Sequence, residues 1–132
     1  MTRSLPQIIG STESALGALL DHELAPFPAL GRDEWIYLNM SLAGAPLPAI
    51  ATTLQQSVES VERIRIALRD NGILDAAGAL TSAGNDLLTA ARESVSAATT
   101  QLTADIDASD IETTARTLEI VQQRARTQTT AG

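Results

Sequence analysis

Cysteine is absent from the 132-residue sequence, which excludes disulfide scaffolds, thiolate zinc sites, iron–sulfur clusters, cysteine nucleophiles and thiol-based oxidation sensing. Histidine occurs once, as His22, so neither a histidine metal site nor a Ser-His-Asp triad has the material to form. Lysine is missing altogether, and Gly10, Gly17, Gly31 and Gly44 are scattered, so no Walker-type phosphate loop exists. No catalytic constellation is visible, and the expectation is a protein that is not an enzyme and needs no cofactor or metal. No apolar run approaches the ~18 residues of a membrane span, and the N-terminus lacks a basic-then-apolar signal pattern. A cytoplasmic protein without membrane contact is the plain expectation.

Aromatics make up only 2% of the residues, supplied by Phe27, Trp35 and Tyr37. A core of normal density must therefore come from Leu, Ile, Val and abundant Ala, a composition that suits helices. The chain is 44% hydrophobic and 19% charged, which at this length predicts one compact domain. Nine Arg against sixteen Asp and Glu leave a net charge of -7, which argues against a strongly basic nucleic-acid coat protein but permits a local basic face.

Along the chain, Leu5, Ile8, Ile9, Leu16, Leu19, Leu20 and Leu24 recur at helical spacing until Pro26 and Pro28 close the pattern, predicting a first helix. Asp33 and Glu34 place acids at the start of a second helix, where the dipole favours them, with Trp35, Leu38 and Leu42 as its inward stripe and a stop near Gly44. Pro48 suits the first position of a short third helix carrying Ile50, Ala51 and Leu54. After Gln55 and Gln56, Ser57 can cap a fourth helix in which Val58, Val61, Ile64 and Leu68 recur at three and four, ended by Asn71-Gly72. Two short helices joined by a tight turn form a helix-turn-helix pattern.

Ile73-Leu74 and Ala79-Leu80 then bracket a turn that can close a minimal hairpin. Thr81 reads as the cap of a fifth helix with Leu88, Ala91, Val95, Ala98 and Leu102 in partner-seeking spacing. Ser109 and Glu112 suggest a capping box for a sixth helix with Ile111, Ala115, Leu118 and Val121 inward, and the tail from Thr127 is expected to fray. The run Asp105-Ile106-Asp107-Ala108-Ser109-Asp110 begins like a calcium loop, but its sixth position is Asp110 and its twelfth Arg116, so a helix-to-helix turn is expected there.

This order of elements resembles the multiple-antibiotic-resistance regulator (MarR) family of winged-helix repressors. Leu47-Pro48-Ala49-Ile50-Ala51-Thr52-Thr53-Leu54 is similar to the family's third helix, and Val61-Glu62-Arg63-Ile64 with Leu68 and Gly72-Ile73 to its recognition helix and exit. Leu80-Thr81-Ser82-Ala83-Gly84 is similar to the motif that follows the wing. The resemblance implies a mainly α fold, a winged helix-turn-helix with long N- and C-terminal dimerisation helices (5–25 and 82–126) and a DNA-binding-like lobe over 32–81. It departs at the wing: only eight residues separate Gly72 from Thr81 and none is basic, so the wing is expected to be short and without the family's minor-groove arginine.

The resemblance further implies a homodimer on a pseudo-palindromic site in double-stranded DNA, with Ser57, Glu59, Ser60, Glu62, Arg63 and Arg69 at the duplex. Arg63 can donate two hydrogen bonds to guanine, while Glu59 and Glu62 would repel phosphates. The alternative is a solvated helix face with Glu59 and Arg63 paired at i,i+4. A small aromatic or anionic effector would find His22, Trp35 and Tyr37 as the polar-aromatic lining of a pocket. Against this, a lone tryptophan such as Trp35 is more often a core filler than a ligand platform, and His22, between Asp21 and Glu23, reads as an exposed helix residue. The competing function is a winged-helix dimer that serves protein interaction or small-molecule binding without DNA.

Overall fold

The structure is a computed structural model that describes residues 2–130. Six helices follow one another: α1 (Leu5–Leu24), α2 (Arg32–Leu42), α3 (Leu47–Leu54), α4 (Val58–Asp70), α5 (Ser82–Thr103) and α6 (Ala108–Thr130). The chain packs as two units that divide within α5, at Ala97/Ala98.

The first unit owes its core to side chains at helical spacing. Tyr37 and Leu38 of α2, Ile50 and Ala51 of α3, and Val61 and Leu68 of α4 meet Leu24, Leu30, Ile73, Leu74, Leu88 and Ala91 in one buried cluster. Helices α2, α3 and α4 pack against one another within it. Trp35 is half-buried against this cluster, whereas Leu42, expected to point inward, is 48% exposed. Tyr37 takes the inward place instead, at 4% exposure. Leu42 is the last residue of α2, and the final turn of the helix runs past the packed layer.

The helix starts are chemically specified. Ser4 and Gln7 form a reciprocal capping box for α1, with Pro6 in its first turn. Pro48 lies in the first turn of α3, one position later than expected, because Pro46 is the residue before that helix. Ser57 caps α4 by accepting from the Ser60 amide at 3.1 Å.

Between α4 and α5 the hairpin is reduced to one antiparallel bridge, Leu74 to Leu80. Its turn is held by Asp75, whose Oδ1 accepts from the amides of Ala77 and Ala79, each at 2.9 Å. Thr81 then joins the turn to α5. Its hydroxyl accepts from the Gly84 amide at 2.9 Å and donates to the Gly72 carbonyl at 2.6 Å, while its own amide donates to the Ile73 carbonyl at 2.9 Å. Gly84 sits so close to the backbone just before the bridge that a Cβ there would lie 2.2 Å from the Ile73 carbonyl oxygen. The spacing from Thr81 to Gly84 thus records a cap and a close backbone approach.

Helix α5 uses the first half of its stripe inside the chain: Leu88 and Ala91 are buried and Val95 packs against the same core. Val95 is therefore a core contact, where the sequence suggested a partner-seeking position. In the second unit Leu102, Ile106, Ile111 and Ile120 are exposed, and α6 contributes no buried residue among those described. Asp107 takes the capping role expected of Ser109: its Oδ1 accepts from the amide and hydroxyl of Ser109, both at 2.8 Å, which holds its carboxyl below the usual carboxylate range. The tail does not fray where expected. Helix α6 continues to Thr130, the hydroxyls of Thr127, Thr129 and Thr130 donating to carbonyls one turn earlier, and residues 131–132 lie outside the described residues.

Candidate functional site: the α3–α4 unit and the cleft at the start of α2

Helices α3 and α4 form the helix-turn-helix. The turn is tight because Gln55 adopts the left-handed conformation, φ 55° and ψ 43°, an uncommon choice for a residue with a side chain. Gln56 ties the turn to α2 by donating from Nε2 to Asp33 Oδ2 at 2.9 Å. With Val61 and Leu68 fully buried, α4 is seated on α2 and α3 and its opposite face stays open.

Of the sequence-predicted duplex contacts, Ser57, Glu59, Arg63 and Arg69 are exposed, while Ser60 and Glu62 are half-buried. The Glu59–Arg63 pair of the alternative reading does not form. Glu62 instead pairs with Arg65, which donates from Nε at 2.8 Å and also from Nη2. This hydrogen bond lowers the Glu62 carboxyl below its ordinary range and raises the Arg65 guanidinium above its own. Arg69 lies 3.6 Å from Asp70. Among the described residues, Arg63 takes part in no ion pair or side-chain hydrogen bond, which leaves its five donors available. Three acids and three arginines on α4 cancel, so the face is close to neutral with one unengaged cation.

Val58 departs from its expected place. Its spacing of three from Val61 fits the inward stripe, yet it is 47% exposed because the first turn of α4 projects beyond the core. Spacing alone carries no signal of this, since it reports direction around a helix and not the reach of the neighbouring elements.

The three residues considered for an effector are not brought together as a lining. His22 is exposed, Trp35 is half-buried on the core, and Tyr37 is core. A shallow cleft of about 280 Å³ lies instead where α1 ends and α2 begins, lined by Leu24, Phe27, Pro28 and Leu30 beside Asp21 and Arg32. Arg32 donates from Nε to Asp21 Oδ1 at 3.1 Å and from Nη2 to Oδ2 at 2.6 Å, and this pairing lowers the Asp21 carboxyl below its usual range. The guanidinium lies across α1 at Gly17, where a Cβ would come within 3.0 Å of it. Among the described residues no three acidic or histidine side chains gather as metal ligands, and no helix is long and apolar enough to cross a membrane.

No family model matches the chain, and no curated protein matches it. Among solved structures, a MarR family protein of Mycobacterium tuberculosis in complex with salicylic acid is similar over 91% of this chain and 99% of that one, with a TM-score of 0.69 and 21% sequence identity. The capped α3–α4 pair, the Thr81–Gly84 junction and this overlay agree, and the chain has the fold of a MarR family protein.

Proposed function

We propose that this chain is a homodimeric MarR-type transcriptional regulator, cytoplasmic and without catalytic activity, that binds a pseudo-palindromic site in double-stranded DNA through α4 of each subunit. The observation that carries this reading is Arg63, an exposed and unengaged guanidinium on a helix held rigidly by α2 and α3. A fixed planar donor on the second helix of a helix-turn-helix is suited to the acceptor edge of guanine in the major groove. The likeness of fold supports it. Fluorescence anisotropy with duplexes selected from random DNA at low salt tests it. Arg63→Ala is expected to weaken binding about tenfold or more and to relax preference at one base pair per half-site. A pure phosphate contact would instead lower the salt slope by about one unit. Absence of duplex binding by the wild-type protein at low ionic strength overturns the reading.

The dimer rests on apolar side chains left in water: Leu5, Ile8 and Leu16 on α1, Ile111 and Ile120 on α6. Such stripes are covered when a second copy meets them. Ile120→Asp is expected to shift the protein from dimer to monomer in sedimentation, and a wild-type monomer at micromolar concentration would remove the idea. For the effector, a small aromatic acid is the chemistry that suits the apolar floor of Leu24, Phe27 and Leu30, its carboxylate competing with Asp21 for the Arg32 guanidinium. One observation favours a second reading, a protein-interaction module: α4 is neutral, and the segment from Ile73 to Leu80 carries Asp75 as its only charge.

A further inference from the structure

We propose that Val58 reads a thymine methyl group, which makes an A·T pair part of the recognised sequence; the proposal rests on the DNA-binding reading above. Val58 opens α4 with 47% of its surface exposed, although the helix has a buried stripe three residues on. Around the helix Val58 stands about 40° from Glu62 and about 140° from Arg63, between the buried stripe of Val61 and the exposed face, so Val58 and Arg63 share the N-terminal half of α4 and flank that face from its two edges. Glu62 is drawn to Arg65 and does not close over it in an ion pair with Arg63.

The choice of a branched apolar side chain at this position has no folding rationale in the structure. It is outside the buried cluster and outside the set of half-buried residues packed on it. Valine also gains nothing from helix propensity, since its branched Cβ is mildly unfavourable there. The first turn of a second helix in a helix-turn-helix carries the residues that come closest to base edges. Within the major groove the C5-methyl of thymine is the apolar group on offer, and apolar side chains select it by covering it. Val58 and Arg63 together would therefore specify different bases by different chemistry: a methyl contact at the start of the helix and a donor pair about a turn later.

The test uses the full chain and a duplex obtained by selection, with each thymine replaced in turn by deoxyuridine, which keeps base pairing and removes only the methyl. For the wild-type protein one position per half-site is expected to lose about fourfold in affinity, the effect of exposing one methyl-sized apolar group. Val58→Ala should bind the thymine duplex with a similar loss and be indifferent to deoxyuridine at that position. Because Val58 is exposed, the variant should melt with the wild type, and the wild-type scan stands without it. If wild type binds DNA but no thymine methyl matters, or if Val58→Ala keeps full methyl sensitivity, Val58 is not the reader and Arg63 binding is untouched. If no duplex binds at all, the regulator reading falls and this assignment falls with it.

Discussion

Gly84→Ala is expected to destabilise the chain by about 3 kcal/mol and to lower the melting temperature by roughly 10 °C. The added Cβ would lie 2.2 Å from the Ile73 carbonyl oxygen and 3.0 Å from the Ile73 carbonyl carbon and Cα, so backbone and not a flexible side chain must give way. Movement there also disturbs the Thr81 hydroxyl, which bonds the Gly84 amide and the Gly72 carbonyl together. Gly10→Ala provides the opposite sign. Gly10 lies within α1 with nothing within 4 Å of its would-be Cβ, so alanine should stabilise by about 0.5–1 kcal/mol through helix propensity. Thermal unfolding followed by circular dichroism separates the two, and a Gly84→Ala protein melting with the wild type would falsify the close-approach account.

Leu68→Ala is expected to cost about 3 kcal/mol in denaturant unfolding, with the midpoint moved and the slope unchanged. Leu68 is fully buried in the cluster that seats α4 on α2 and α3, so its loss leaves a cavity that helices cannot close without shifting. Val58→Ala, on the same helix and at compatible spacing, should change stability by less than about 0.5 kcal/mol because the side chain is already half in water. The pair measures whether α4 is anchored from its middle and end, leaving its first turn to face a ligand. Equal losses at both positions would mean that the first turn is packed after all.

The local chemistry of this protein was legible in its residues. Pro26 and Pro28 ended α1, Ser57 capped α4, and Leu80-Thr81-Ser82-Ala83-Gly84 marked the entry to α5, because caps and breakers act within a few residues of themselves. The order of six helices, and with it the likeness to a MarR fold, followed from periodicity over long segments. Asp107 displaced Ser109 as the cap of α6 because a carboxylate can accept from both the amide and the hydroxyl that follow, a competition between neighbours that motif spacing does not weigh.

What tertiary structure alone decided was which apolar and charged positions face what. Tyr37 went into the core and Leu42 into water because the last turn of α2 runs past the packed layer; Val95 packed within the chain while Ile120 stayed outside. Glu62 chose Arg65, three residues away, over any arrangement involving Arg63, and so left Arg63 unengaged. Helical period assigns a side chain an angle around its own axis, and that angle is a property of sequence. Whether another element stands at that angle, and which charge lies within reach, depends on helix lengths and packing distances that are settled only when all six helices are placed.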